Sequence, residues 1–332
     1  MAPSPLAQRI SIVIPVHNAG EDFRHCLENI AVSATPPHEI IVVADGESDG
    51  SWRAAGEFGV TLLRIPECRG PAHARNLGAG AATGDILLFI DSDVAVPCDA
   101  VSMVAEAFRD DPELAALFGS YDEEPFAGNF LSQYKNLFHH YVHQTANEEA
   151  STFWSGCGAI RRGIFEELSG FNEEYSRPSI EDIELGYRLK KAGCRIHLLK
   201  GLKVKHLKRW GVVSLLRADI LYRALPWSQL ILREGSMLND LNLKISTRAS
   251  VVAVCLLIPS LLLAVYLPLL LLLAASCILV LFALNLDLYR FFKGKRGLLF
   301  AVMTVPWNWL YHFYSGLAFT IAFARHRLSL HD

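Results

Sequence analysis

Over the first third of the chain, short apolar runs rich in β-branched residues alternate with segments of helical spacing. Residues 10–14, 40–43, 60–64, 86–90 and 114–118 read as strands. Residues 21–32, 51–58, 72–82 and 100–110 read as the helices between them, the second of these weakly. Such an alternation predicts a layered α/β fold with a mostly parallel sheet, which binds its ligands beyond the carboxyl ends of the strands. Gly78, Gly80 and Gly84 follow no strand and close a helix instead of opening one, so they read as helix packing and a helix stop, not as a dinucleotide loop.

The pattern changes in the C-terminal third. From Ala249 to Leu286 there is no Asp, Glu, Lys, Arg or His. A bilayer-crossing helix needs about 20 residues, so this run is one over-long span or two short ones, and Tyr266-Leu267-Pro268 favours a hairpin, about 249–266 and 268–286. A second run, 298–324, is uncharged except for His312 and carries Pro306, Trp307 and Trp309 as a kink with interfacial aromatics. A hairpin puts Arg248 and the basic 290–296 cluster on the cytoplasmic side, but a third full span then exports Arg325 and Arg327; a re-entrant third segment would avoid this. Apolar residues interleaved with Arg217, Arg223, Trp227 and Arg233, divided by Pro226, suggest one or two interfacial amphipathic helices over 211–247. The expected organisation is a soluble domain over 1–210, that interfacial segment, and a membrane region over 248–332.

Composition sharpens this picture. Hydrophobic residues make up 52% and charged residues 20% of the 332, an apolar excess explained by the C-terminal runs. A net charge of -3 lacks the basic excess of a nucleic-acid binder, so no nucleic-acid partner is expected. The 7 cysteines are scattered, with no CxxC pair, which suits a reducing compartment better than a disulfide framework or zinc site. Residues 1–8 lack a secretory leader's cationic-then-apolar pattern, so the N-terminal domain is expected in the cytoplasm.

The candidate chemistry sits just after the strands. Asp91-Ser92-Asp93 follows the apolar run 86–90; extended alternation would send both carboxylates to one side and Ser92 to the other. Two such carboxylates suit Mg2+ or Mn2+ with a diphosphate supplying further oxygens, although Asp also commonly ends strands. Pro15, His17 and Asn18 follow the first strand and Asp45 the second, with Arg75 in a helix beyond: donors and acceptors of the kind a nucleotide diphosphate needs. Asp182 opens a helical pattern after Ser179, where it is either a helix-capping group or an ionised base at a helix N-terminus. Cys157, in the small-residue loop Trp154-Ser155-Gly156-Cys157-Gly158, has no activating neighbour and reads as packing.

The ordered set IPVHN, ADGESDG, GPAHARNLGA, TGDILLFIDSDV, WSGCGAIRR, GFNE and IEDIELGYRL resembles the family 2 glycosyltransferases of the GT-A fold, over roughly residues 10–210. The resemblance implies a nucleotide-sugar donor, a divalent cation and transfer with inversion. It implies Pro15, His17 and Asn18 in the first donor loop, Asp45 near the base, Arg75 beside the nucleotide, Asp91, Ser92 and Asp93 at ribose and metal, and Asp182 as catalytic base. It puts Gly156, Cys157 and Glu181 near donor sugar and acceptor. Ala44 stands where the family has the first of two acids, so UDP is the expected donor nucleotide without the usual base contact, and His17 replaces a frequent aromatic. His206-Leu207-Lys208-Arg209-Trp210 is similar to the QxxRW motif of processive members, which implies Arg209 on the diphosphate, Trp210 on the acceptor and His206 as a further metal ligand; a basic membrane-facing strand end is the alternative. The whole implies a hexosyltransferase of the cell envelope, multi-pass in the inner membrane, acting on a lipid or lipid-linked acceptor. The alternatives are a processive polysaccharide synthase working as a homo-oligomer and a catalytically silent nucleotide-sugar-binding scaffold.

Overall fold

The computed structural model describes residues 8–235, 237 and 239–329; residues 1–7, where the absence of a leader was read, and 330–332, at the end of the expected membrane region, lie outside that description. The chain forms two compact units that divide between Arg209 and Trp210.

The first unit is built on a sheet of order β3-β2-β1-β4-β7-β6-β8-β5. Its strands are β1 (Ile10–Val16), β2 (Glu39–Asp45), β3 (Thr61–Ile65), β4 (Ile86–Ile90), β5 (Val94–Ala95), β6 (Leu114–Tyr121), β7 (Cys157–Arg161) and β8 (Arg195–His206). The helices are α1 (Gly20–Ala31), α2 (Pro71–Ala81), α3 (Ala100–Asp110), α4 (Phe130–Gln144), α5 (Arg162–Glu167) and α6 (Glu181–Lys191), and residues Ser51–Glu57 form a 3-10 turn. All five strands expected over residues 10–118 are present. Ile12, Ile14, Val42, Leu88 and Ile90 are buried in the central strands and pack with Phe23, Leu27 and Ile30 of α1. Burying apolar side chains on this scale is the main stabilising term of such a layer.

The sheet is more mixed than the periodicity suggested. β1 pairs in parallel with β2 and β4, and β6 with β8, but β7 runs antiparallel between β4 and β6. The register Ile90↔Cys157 therefore brings Gly156 beside the end of β4, where the Asp91 N–H donates to the Gly156 carbonyl at 3.1 Å. The helix-packing expectation holds at Gly78 and not at Gly80. Gly78 lies inside α2, where a Cβ would meet Val13 Cγ1 at 2.5 Å, so it lets the helix close on the sheet; Gly80 faces open space and the helix runs on to Ala81.

The second unit begins with a helical run, α7 (Val212–Arg217), a π-helical turn (Ala218–Ala224) and α8 (Leu225–Glu234). Pro226 does not divide this run as its sequence suggested. Proline removes one i→i−4 hydrogen bond and crowds the preceding turn, and the wider π-helical turn just before α8 absorbs both effects. Then come α9 (Ile245–Leu263) and α10 (Leu270–Ser329), the latter broken at Gly297, whose φ of 84° and ψ of 173° are not helical. Ile245–Leu263 and Leu270–Leu328 are long enough to cross a bilayer, and each contains an 18-residue stretch apolar enough to do so, of mean hydropathy 1.9 and 2.3. The chain turns between Leu263 and Leu270, and Ala253, Val254 and Leu257 pack on Ala274, Cys277 and Leu281. Polar groups tie the helices together. Asn285 Nδ2 donates to Ser250 Oγ at 3.0 Å, His312 Nε2 lies 3.3 Å from Asn285 Oδ1, and Tyr289 OH donates to Asn308 Oδ1 at 3.0 Å. Such bonds hold apolar helices in register where lipid offers no competing partner.

Candidate active site

The β4 end does not continue as a strand. Val94 N–H donates to the Asp91 carbonyl at 3.0 Å, closing a turn, so the alternation that would have put Asp91 and Asp93 on one side stops at Ile90. The two carboxylates go to different partners.

Asp91 Oδ1 accepts from Arg75 Nη2 at 2.6 Å, and Arg75 Nη1 donates to Glu181 Oε1 at 2.9 Å. Arg75 also lies over the Phe171 ring at 5.5 Å. Burial by itself would lower the guanidinium's pKa, but Asp91 and Glu181, with a smaller contribution from Asp182, hold it above its ordinary value. Asp91 Oδ1 is thus paired with an arginine, whereas Asp93 meets other partners. Glu181 is buried, and its second oxygen accepts the Ser179 N–H at 2.9 Å, so both of its oxygens are held in this network.

Asp93 faces the far side of the turn. β5 pairs with β8 in the register Val94↔His206, and Leu207 N–H donates to the Asp93 carbonyl at 2.9 Å. This pairing sets His206 Nε2 at 3.6 Å and Lys208 Nζ at 3.5 Å from Asp93 Oδ2. Burial by itself would raise the Asp93 pKa; the charges of His206 and Lys208 reverse that and hold the carboxyl well below the usual carboxylate range. Asp22, on the first turn of α1, is pushed up by burial and by Asp93. Sequence reading gave no role to Asp22 or Lys208; the string HLKRW carried the signal for Lys208, but the motif resemblance drew attention to Arg209. Arg209 is exposed at the end of the first unit, and Trp210 opens the second.

Asp182 lies in the first turn of α6, whose N-cap is Ile180. A Ser179–Asp182 capping box therefore does not form. Asp182 Oδ2 instead accepts the Ser155 N–H at 3.1 Å and the Ser155 hydroxyl at 3.4 Å, and Oδ1 accepts the Ile183 N–H at 2.8 Å. One turn further on, a Cβ at Gly186 would strike the backbone of Thr152 and Phe153, so only glycine lets α6 approach the 152–155 segment this closely. Gly156 lies against the Trp154 indole, where a Cβ would meet Cζ2 at 2.5 Å. Cys157 is buried in β7, and burial, then Asp91, pushes its thiol up to about 12, which keeps it a thiol and suits a packing role.

The first loop is held by hydrogen bonds of its own. Asp45 is 3% exposed, and its two oxygens each accept a backbone N–H, from Arg69 and Gly70, at 2.7 Å. Its carboxylate fixes the 68–70 loop and is not open to a base. The His17 Nδ1–H donates to the Asp45 carbonyl at 2.6 Å. Asn18, at a φ of 51°, accepts the Ser48 and Asp49 N–H groups through Oδ1 at 2.8 and 3.1 Å. Pro15 is held within β1, opposite Val43. These residues fix the loops after β1 and β2, and half-buried Ser92 sits between Asp91 and Asp93.

Residues 11–169, just under half of the chain, match the family described as Glycosyl transferase family 2. Its sequence is 34% identical over 113 residues to the uncharacterized glycosyltransferase YibD of Escherichia coli K12, covering 32% of this chain and 33% of that protein. It is 26% identical over 118 residues to the glucosyl-dolichyl phosphate glucuronosyltransferase of Haloferax volcanii, covering 34% of this chain and 38% of that one. The chain thus spans under two-fifths of these relatives' lengths. In fold it matches the mannosyltransferase PcManGT of Pyrobaculum calidifontis, solved with GDP-Man and Mn2+, with a TM-score of 0.60 and 18% identity over 95% of this chain and 88% of that one. It also matches TarS 1-349 of S. aureus, solved with UDP, with a TM-score of 0.52 and 18% identity over 70% of this chain and 66% of that one. The fold is that of the GT-A glycosyltransferases.

Proposed function

We propose that the chain is a membrane-associated inverting glycosyltransferase that moves a sugar from a nucleotide sugar to a hydroxyl of a membrane-presented lipid or lipid-linked acceptor. The observation that carries this reading is the Asp91–Arg75–Glu181 network. One buried guanidinium ties the turn after β4, on the nucleotide side, to the residue next to Asp182, on the acceptor side. Asp182, ionised and held by Ser155, takes the acceptor proton as the hydroxyl oxygen bonds to the anomeric carbon; the bond from that carbon to the diphosphate breaks, and the nucleoside diphosphate leaves. A positioned base is worth about 10²- to 10⁴-fold in rate.

A divalent cation fits beside Asp93. Among the described residues no group of three or more His, Cys, Asp or Glu side chains is gathered for a metal, but Asp93 Oδ2 and His206 Nε2 face one another, an oxygen and a nitrogen donor that suit Mn2+ or Mg2+. When bound there, the cation would neutralise the diphosphate of the donor. Lys208 and Arg209 supply further positive charge on the same strand end. Gly156 and Cys157 shape the floor under the sugar. The UDP bound by TarS and the GDP-Man bound by PcManGT both support a nucleotide-sugar donor, and UDP is the proposed one.

The dolichyl-phosphate relative supports a lipid-linked acceptor. The apolar helices support membrane association, and a multi-pass inner-membrane location with the first unit in the cytoplasm is proposed along with it. The test is a transfer assay on the detergent-purified chain with a panel of nucleotide sugars, Mn2+ and membrane lipids, read by mass spectrometry. A glycosylated lipid supports the reading. Nucleotide binding with neither transfer nor donor hydrolysis makes the protein a binding scaffold instead.

A further inference from the structure

Between β6 and α4 the chain runs Asp122-Glu123-Glu124-Pro125-Phe126-Ala127-Gly128, and burial is inverted along it. Pro125 and Ala127 are buried, whereas Phe126, the largest apolar side chain of the loop, is 58% exposed. Among the described residues of the first unit no other Phe, Tyr or Trp is exposed. The backbone around Phe126 is held from three sides. Gln133 Nε2 donates to the Pro125 and Ala127 carbonyls at 3.2 and 3.0 Å, and Phe126 N–H donates to the His206 carbonyl at 3.4 Å. Lys205 Nζ donates to the Glu124 carbonyl, and to Asp122 Oδ2 at 2.7 Å. A segment tied down in this way presents its one aromatic face to solvent and keeps it there.

The surroundings of the ring select its ligand. The His25 ring of α1 lies 6.0 Å from it at 51°, and Glu28 pairs with His25 at 3.1 Å. Asp22 stands one turn before His25, Glu123 and Glu124 stand just before Phe126, and Lys205 is neutralised by Asp122. Such carboxylates repel a phosphate, and one isolated ring offers a lipid tail too little apolar surface. A pyranose fits both features: its C–H face lies on the electron-rich face of the ring, while its hydroxyls donate to carboxylates and to imidazole. The place fits as well. The carbonyl that holds Phe126 belongs to His206, whose ring faces Asp93 from 3.6 Å, so the loop adjoins the proposed diphosphate site. A ring this open suits a ligand that extends past it, as an acceptor does and the single sugar of a donor does not. We infer that Phe126 is a platform for a sugar ring of the acceptor, so that the acceptor is a lipid already bearing a sugar and not a bare polyprenyl phosphate. This inference rests on the proposed transfer reaction and adds the chemical class of its acceptor.

The experiment measures transfer by the full chain in detergent from UDP-glucose and UDP-N-acetylglucosamine to glucosyl diacylglycerol, polyprenyl diphosphate N-acetylglucosamine and polyprenyl phosphate. The unaltered protein is compared with Phe126→Ala, Phe126→Leu and Phe126→Trp, each checked for an unchanged thermal midpoint. Beside it, saturation-transfer NMR on the chain in lipid nanodiscs, with UDP and the methyl glycosides of glucose and N-acetylglucosamine, reads contact with sugar C–H protons without turnover. Phe126→Ala should raise the KM of a sugar-bearing acceptor about 10-fold, with kcat and the donor KM unchanged. Phe126→Leu, which keeps an apolar side chain but no ring, should behave in the same way, and Phe126→Trp should stay near the unaltered value. The sugar C–H signals should appear with the unaltered chain and vanish in Phe126→Ala. An unchanged acceptor KM in Phe126→Ala, full function in Phe126→Leu, a matching rise in donor KM, or transfer to polyprenyl phosphate alone would overturn the inference. If no acceptor is glycosylated, the proposed reaction fails, while the platform is still decided by the NMR signals: contact that Phe126→Ala abolishes supports it, and no contact with either glycoside overturns it.

Discussion

Arg75 and Glu181 meet at 2.9 Å across a separation of 106 residues, and each side chain is 5% exposed. Taking one charge out of such a pair leaves the other buried and uncompensated, at a cost of about 3–5 kcal/mol. Arg75→Met strands both Glu181 and Asp91, whereas Glu181→Gln leaves Arg75 paired with Asp91. Arg75→Met should therefore unfold at a clearly lower urea concentration than Glu181→Gln, followed by tryptophan fluorescence. Equal midpoints for the two variants would mean that Asp91 adds nothing to the pair.

The cysteines should separate by burial. Cys26 and Cys157 are buried with thiols pushed up by burial, Cys157 to about 12, while Cys98 is exposed. Alkylation by iodoacetamide at pH 8 should modify Cys98 in minutes and leave Cys26 and Cys157 intact until the chain is denatured. Peptide mass mapping reads the order, and early modification of Cys157 would contradict its packing under the Trp154 loop.

The membrane reading predicts sidedness. With the turn between Leu263 and Leu270 outside and the basic 290–296 cluster inside, a cysteine placed at Leu267 should react with an impermeant maleimide on intact cells, and one placed at Lys293 only after lysis. Labelling at Lys293 in intact cells would replace the hairpin with a single crossing.

Metal dependence should centre on one of the two aspartates. Asp93→Ala should lose turnover and Mn2+ response while keeping its fold, because Asp93 pairs with the β8 end through charges that a cation would replace. Asp91→Asn, which weakens the bond to Arg75, should lower stability more than metal response. Measured Mn2+ dependence of donor hydrolysis separates them; identical effects of both changes would favour a shared ligand role.

Much of the first unit was legible because central strands buried on both faces leave unbroken apolar runs, such as Ile86–Ile90. Three later elements were not. β7 reads as a small-residue loop because its glycine and alanine fit between neighbouring strands. β8 alternates buried residues with lysines, which look like a solvated segment. α4 buries Ser132, Lys135, Asn136, His139 and His140 along with its apolar residues, so no amphipathic stripe marks it. The site divides in the same way. Asp91, Asp93 and Asp182 stood out as motif residues, but the turn that parts the first two depends on a backbone hydrogen bond and on the β5–β8 register, neither of which is written in local spacing. Asn136 reaches His206 only through the packing of α4 on β8, a tertiary fact with no sequence signature.

The most direct test of the proposed reaction is the initial rate of sugar transfer by Asp182→Asn at saturating donor, with folding checked by circular dichroism. The amide keeps one acceptor oxygen for the Ser155 N–H but cannot take a proton at neutral pH. With a hydroxyl acceptor the rate should fall by about 10²- to 10⁴-fold while nucleotide binding is unchanged. An acceptor phosphate is already ionised and would lose far less. A near-normal rate with every hydroxyl acceptor that the unaltered chain uses would contradict the assignment of Asp182 as the base.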